Sequence, residues 1–158
     1  MITNLQSASI ELETFIRADC ALRRITYRTV ERAPSSLREL RLRMRPTPWT
    51  VIPVSGDNSD RTVWSNRYGN YRFRAWHDAE HLAIGAEFDV RGELDVAAAS
   101  IARVRDSVSS DAVRLLSIEV VGQVMYRARQ GAFPTDQVAF TEYAWKHGIN
   151  RAVERGSF

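Results

Sequence analysis

Tyr71-Arg72-Phe73-Arg74-Ala75-Trp76-His77-Asp78-Ala79-Glu80-His81-Leu82-Ala83-Ile84-Gly85 is the stretch whose reading decides the fold. It reads as a helix carrying Phe73, Trp76, Leu82 and Ile84, and Gly85 supplies its stop. The chain beyond keeps the same character. Asp89 suits the N-cap of a second helix containing Leu94, Val96, Ile101 and Val104. Ser109, Ser110 or Asp111 caps a third, which runs to about Gln130 with Gly131 as its end. Pro134-Thr135-Asp136 opens a fourth through Phe140, Tyr143 and Trp145, broken near Gly148. Four helices with short connections predict a bundle-like core.

Upstream the signals are more mixed. Residues 5–30 carry Ile10, Phe15, Ile16, Leu22, Ile25 and Tyr27 among charges, which suits a helix better than a strand. Ala33-Pro34-Ser35-Ser36 breaks it. Leu40-Arg41-Leu42-Arg43-Met44-Arg45 alternates with period two and reads as a half-buried strand, with a short helical turn from Ser36 as the competing reading. Pro46, Pro48 and Pro53 exclude a helix through residues 47–54. Thr50-Val51-Ile52 suits a short edge strand, and Ser55-Gly56-Asp57-Asn58-Ser59-Asp60 a loop. The expected fold is therefore mainly α: a helical bundle of about four to five helices with a small β element or irregular segment near residues 38–66. We expect a single domain over residues 1–158, with an Arg-rich N-terminal part (1–66) and a helical part bearing the site (67–158).

Composition narrows the class. The chain has 158 residues, 44% of them hydrophobic, enough for a sizeable core, while 26% charged and a net charge of +3 suit a soluble globular protein. No apolar run approaches the roughly 18–20 residues that span a bilayer. Met1-Ile2-Thr3-Asn4-Leu5-Gln6 lacks the basic start and apolar stretch of a secretory signal. Cys20 is the lone cysteine, which excludes an internal disulfide framework and a cysteine-based zinc finger. A cytoplasmic location in a bacterial host, or a phage-derived protein acting there, is the expectation, with no membrane partner. The basic residues are twenty-one arginines and Lys146. Nine arginines fall within residues 17–45, from Arg17 to Arg45, against Asp19, Glu31 and Glu39. Such a segment suits contact with nucleic acid or an acidic protein surface, or simply a solvated helix face.

Chemistry concentrates around two of the three histidines. His77 and His81 stand four residues apart, so on a helix both imidazoles reach one ion. Glu93 follows twelve residues later, near the start of the next helix. Glu119 sits in Leu115-Leu116-Ser117-Ile118-Glu119-Val120-Val121, where an ionised carboxylate is costly unless paired or coordinated. Gln123, one turn on, shares its face and suits a supporting role. Two histidines with one or two carboxylates, from His77, His81, Glu93 and Glu119, fit Zn²⁺, with Fe²⁺ as the alternative. Asp78 and Glu80 flank the histidines and are the candidate general bases. The order His-Asp-x-x-His shortens the zinc-peptidase second residue by one methylene, which speaks against peptidase activity. His147 suits a helix C-terminus. Trp49, Trp64, Tyr68, Tyr71, Phe73 and Trp76 read mainly as core.

Residues 71–81, then Phe88, Gly92-Glu93 and Glu119-Val120-Val121-Gly122-Gln123, resemble a pattern in bacteriophage and mobile-element proteins. In that pattern Phe-Arg leads into His-Asp-x-x-x-His or a close variant, followed by Phe-x-x-x-Gly-Glu and Glu-x-x-Gly-Gln. The resemblance covers about the middle third of the chain. It implies a helical domain with a polar site at His77, His81, Glu93 and Glu119, and it carries no reaction. The histidine spacing here departs by one residue from the commoner form.

Two functions remain open on the sequence. One is a small zinc-dependent hydrolase using a His/His/Glu site. The other is a non-enzymatic accessory module that binds nucleic acid or protein through its Arg-rich surface, with the histidine–carboxylate cluster as a structural knot. A non-haem iron oxygenase would use the same ligands.

Overall fold

β-Branched residues, not amphipathic spacing, rule residues 25–30. In the computed structural model, which describes residues 4–57 and 59–158, helix α1 (Asn4–Leu22) ends eight residues short of the expected limit. Met1, Ile2 and Thr3 of the N-terminal stretch and Asn58 of the 55–60 loop lie outside the described residues. Arg24 turns the backbone with φ 56, and Ile25-Thr26-Tyr27-Arg28-Thr29-Val30 becomes strand β1 (Ile25–Val30). Stiff β-branched side chains and a tyrosine fit a pleated surface better than a helix.

Of the expected strand at residues 40–45, residues 40–43 instead belong to helix α2 (Leu37–Arg43) and Met44 caps it. A local cap overrides the alternating pattern. Ser36 Oγ accepts the Glu39 N–H at 3.1 Å, and the Glu39 carboxylate accepts the Ser35 N–H at 2.8 Å. This reciprocal Ser-x-x-Glu arrangement satisfies donors that a helix start leaves free. Leu37 and Leu40 then point inward, while Leu42 stays 75% exposed.

Strands β2 (Arg45–Pro46) and β3 (Thr50–Ser55) complete a sheet of order β1-β3-β2, with β1 parallel and β2 antiparallel to β3. The Thr50–Val51–Ile52 segment is thus the start of the central strand, not an edge. Pro53 is tolerated there because β2 pairs only with Thr50 and Val51, leaving that flank of β3 without a ladder further on. Parallel pairing of β1 with β3 needs a crossover, and α2 lies within it. The β element therefore begins well before the expected 38–66 window.

The helical part follows the expected punctuation closely. Helix α3 (Arg67–Ile84) is capped by Asn66, whose Oδ1 accepts the Tyr68 and Gly69 N–H groups, and it ends at Gly85 with φ 71. Asp89 caps α4 (Val90–Val104), and Ser109 caps α5 (Ser110–Ser117). A π-helical segment (Ile118–Gly122) joins α5 to α6 (Gln123–Gln130), and Gly131 closes the run with φ 82. Asp136 caps α7 (Gln137–His147), and α8 (Ile149–Arg155) follows Gly148. Counting residues 110–130 as one continuous helix, the described residues form seven helices, more than the four to five expected. The extra ones are the short α2 and α8.

The largest core cluster draws on both halves of the chain. Leu12 and Ile16 of α1, Ile52 of β3, Trp76 of α3, Ala97 of α4 and Leu115 and Leu116 of α5 are all buried in it. A second cluster gathers Ile118, Tyr126, Phe140, Ala144 and Ala152. Val120 packs in the first cluster and Ile118 in the second, so the π-helical segment sits where the two meet.

Candidate metal centre

Helix α3 presents two different chemistries. On one side Trp76 and Glu80 are buried. The Trp76 indole donates to Asp19 at 2.8 Å. Glu80 accepts from Arg23, and from Arg103 Nε at 3.0 Å, while Arg23 also reaches Asp19 at 3.2 Å. Two guanidiniums thus hold Glu80 against α1 and α4. It does not line the cleft that His77 lines. Of the two candidate bases, only Asp78 lies there.

The other side carries His77 and His81. Their Nε2 atoms are 3.3 Å apart, and Glu93 Oε2 lies 3.0 Å from His77 Nε2 and 3.4 Å from His81 Nε2. His77, His81 and Glu93 are the group of side chains among the described residues whose donor atoms converge as metal ligands do. Four ligands about 2.0–2.1 Å from a zinc ion at tetrahedral angles stand about 3.3 Å from one another. The three observed separations bracket that edge.

The turn from α3 to α4 explains how Glu93 arrives. Gly85 adopts the left-handed conformation that releases the chain from α3, and its N–H closes on His81 O. The Ala86 carbonyl then comes within 3.0 Å of His81 Nδ1. A carbonyl only accepts, so Nδ1 carries the proton and donates, and in the neutral ring Nε2 is left with its lone pair toward the cluster. The Phe88 ring packs against the His81 imidazole at 4.5 Å between centroids. Asp89 Oδ1 accepts the Gly92 N–H at 2.8 Å, starting α4. A Cβ on Gly92 would stand 2.0 Å from the Glu87 carbonyl oxygen, so only glycine admits this close approach. Glu93 is the next residue. The Gly-Glu pair is a geometric unit: the glycine permits the turn and the turn delivers the carboxylate.

Electrostatics follow from the packing. Burial alone would raise the Glu93 pKa, but hydrogen bonds from His77 and His81 outweigh it and hold the carboxyl down at about 2. Burial works to lower His81, yet its bonds to Glu93 and to the Ala86 carbonyl leave its pKa above the ordinary 6.5. Burial pushes Asp78 up to about 6, against the opposing pull of His77 and His81. Nδ1 of His77 is buried without a hydrogen-bond partner.

A cleft of about 380 Å³ opens over this group, and His77, Asp78 and Glu93 line it. Glu119 lines it too, but it is not one of the converging donors. It rises from the π-helical segment, where Thr141 Oγ1 donates to Oε1 at 2.6 Å and Gln123 Nε2 donates to Oε2 at 3.0 Å. Burial nevertheless pushes its pKa up to about 7. The sequence reading thus grouped four acidic and imidazole ligands, and the structure brings three together with the fourth across the same cleft. Gln123 supports Glu119, as its spacing suggested.

His147 ends α7, beside the Tyr143 ring at 4.4 Å, and does not line the cleft. Arg74 and Arg114, which the sequence offered as partners that could neutralise Glu119, form no ion pair with it among the described residues, and Thr141, Arg127 and Phe133 carried no reading as site residues. Thr141 is a fully buried polar residue on α7. Of the nine arginines from Arg17 to Arg45, Arg23, Arg28 and Arg43 are partly buried in contacts within the fold. Arg17, Arg24, Arg32, Arg38, Arg41 and Arg45 are exposed. Trp64, Tyr71 and Trp76 are core residues, whereas Trp49 and Tyr68 are exposed. Cys20 is buried, and burial raises its thiol to about 11. No helix of the described residues is long and apolar enough to cross a membrane. No family model, curated protein or solved structure matches the chain.

Proposed function

We propose that this protein is a metal-dependent hydrolase of phage or mobile-element type, with His77, His81 and Glu93 as ligands of one zinc ion. Iron(II) is the alternative occupant of the same donor set. The observation that carries the reading is the spacing of the three donor atoms, 3.0, 3.3 and 3.4 Å apart, beside a cleft that His77 and Glu93 line. A purely structural zinc site is closed by a fourth protein ligand, whereas a site with three protein ligands beside a cleft leaves a position for water or substrate.

Zinc in such a site supplies a water whose pKa falls to about 7. The chain's own residues then divide the work. His81 is held in one tautomer by the Ala86 carbonyl, so its Nε2 is oriented before any ligand arrives. Asp78 lines the cleft beside His77, and with a pKa near 6 it is ionised at neutral pH and matched to accept a proton there. Glu119 faces the same space with a carboxyl whose proton leaves only near pH 7. Glu80 has no part in this chemistry, because its carboxylate is committed to Arg23 and Arg103.

Elemental analysis of tag-free protein tests the reading directly, with His77→Ala/His81→Ala and Asp78→Asn variants beside the wild type. One zinc or iron per chain, lost in the double variant, is the expected result. A screen of ester, amide and phosphoester substrates should then find turnover that Asp78→Asn loses while keeping its metal. Absence of metal from the wild type after reconstitution overturns the proposal and leaves a charge-paired Glu93–histidine knot.

A further inference from the structure

Arg127 and Phe133 make a feature at the cleft that neither the triad nor the core uses. Gly131 ends α6 in the left-handed conformation, and the chain turns back so that Phe133 meets Arg127. The guanidinium carbon lies 5.0 Å from the centroid of the ring. Phe133 remains 43% exposed, an aromatic side chain kept at the surface. Arg127 is exposed and joins none of the ion pairs among the described residues. Both residues line the same cleft as His77 and Glu93.

The rest of the lining points the same way. Phe73, Phe88, Val120 and Val124 give it an apolar wall. Arg74 is a second guanidinium there, donating to the Ser55 carbonyl at 2.9 Å and likewise outside every ion pair among the described residues. Two arginines and a divalent ion outweigh the three carboxyl groups of Asp78, Glu93 and Glu119, even with all three ionised. A cleft with apolar walls, an aromatic rim and net positive charge selects an anion carried on an apolar body.

We propose that the cleft binds an aromatic oxyanion, a ring bearing a carboxylate or phosphate, with the anionic group paired to Arg127 and the ring against Phe133. This names the substrate class of the site and rests on the metal reading, since the ion is what makes the cleft net positive. A guanidinium pairs with either oxyanion through parallel N–H donors, and Phe133 offers its free surface to the ring.

Calorimetric titration of zinc-loaded protein tests it with three probes: benzoate, phenyl phosphate and, as the uncharged control, benzyl alcohol. At least one anion should bind about tenfold or more tightly than the alcohol, and Arg127→Gln should weaken it about tenfold at unchanged zinc content. Which anion binds distinguishes carboxylate from phosphate substrates. Phe133→Leu should weaken both anions by a smaller factor. Both residues are exposed, so folding should survive either change, and circular dichroism checks that. Equal binding of the alcohol, an unaltered affinity in Arg127→Gln, or no saturation by either anion in zinc-loaded protein overturns this proposal and leaves the metal site standing. A wild type that takes up no zinc fails the metal reading and this one with it, and the zinc assay on the same samples separates the two cases.

Discussion

Replacing Glu119 by glutamine should stabilise the protein at high pH and leave it nearly unchanged at low pH. Burial raises the Glu119 carboxyl from its ordinary 4.5 to about 7, and among the described residues no cation is paired with it to offset that. Below about pH 4.5 the group is protonated in both the folded and unfolded chain and contributes no penalty. Between 4.5 and 7 the unfolded chain gives up the proton first, so stability falls as pH rises, and above 7 the loss is complete. At 1.36 kcal/mol per unit the shift amounts to about 3 kcal/mol, and the opening of the cleft to water brings the expected effect nearer about 2. Glutamine keeps the shape. Its carbonyl accepts from Thr141, and its amide donates to Gln123 once that side chain turns its oxygen inward. Urea denaturation of the metal-free wild type and Glu119→Gln at pH 4, 6 and 8 isolates the term, because other titrating groups are common to both. The variant should be level at pH 4 and ahead by about 2 kcal/mol at pH 8, or roughly 4–8 °C in melting temperature for a chain of this size. A constant difference across pH, or a variant weaker than wild type at pH 8, would refute the argument that Glu119 is a desolvated, unpaired carboxyl.

Glu80→Ala should destabilise by about 2–4 kcal/mol, because it leaves the partly buried Arg23 and Arg103 to share Asp19 alone, while metal content stays unchanged. Wild-type stability with lost turnover would instead restore Glu80 as a base. Gly92→Ala should cost several kcal/mol and sharply reduce metal uptake, since its Cβ meets backbone at Glu87 and the strain falls on the turn that delivers Glu93. An alanine variant that binds metal as well as wild type would show that the turn is not what positions the carboxylate. Zinc at a hundred times its dissociation constant should raise unfolding free energy by about 2.7 kcal/mol, a gain that chelation reverses and His77→Ala/His81→Ala abolishes. Equal melting curves with and without zinc would count against a folded-state site.

Legibility tracked the kind of signal each segment carries. From α3 onward, single residues mark the boundaries: Gly85, Asp89, Ser109, Gly131, Asp136 and Gly148 each cap or stop a helix where their chemistry says they should. Before α3 the deciding signals compete. In residues 25–30 the apolar positions alone read as more helix, and the β-branched run that forms β1 was outvoted. In residues 36–43 the Leu–Arg alternation argued for a strand against a Ser-x-x-Glu cap only one turn long. The cap wins because satisfied backbone donors hold the turn, and because Leu37 and Leu40 bury together on one helical face. Nothing local in the chain announces the pairing of β1 with β3, which joins residues twenty-five positions apart.

The site divides along the same line. His77 and His81 are legible because four residues of helix fix their relation, and Glu93 as an acidic residue near the start of the next helix, whereas the close approach at Gly92 that brings Glu93 to them shows only in the folded chain. Glu119 was legible as an oddity, a carboxyl within an apolar helix, but its role was not. The cause is one extra residue in the helical turn. The Gln123 N–H reaches back to Ile118 O, a five-residue closure. That widened turn lets Ile118 and Val120 serve two different core clusters while Glu119, between them, lines the cleft. Insertions of this kind destabilise a helix and persist mostly where a site uses them. The buried carboxyl and the distorted turn are thus two aspects of one departure from a minimum-energy core, at a carboxyl that lines the same cleft as His77 and Glu93.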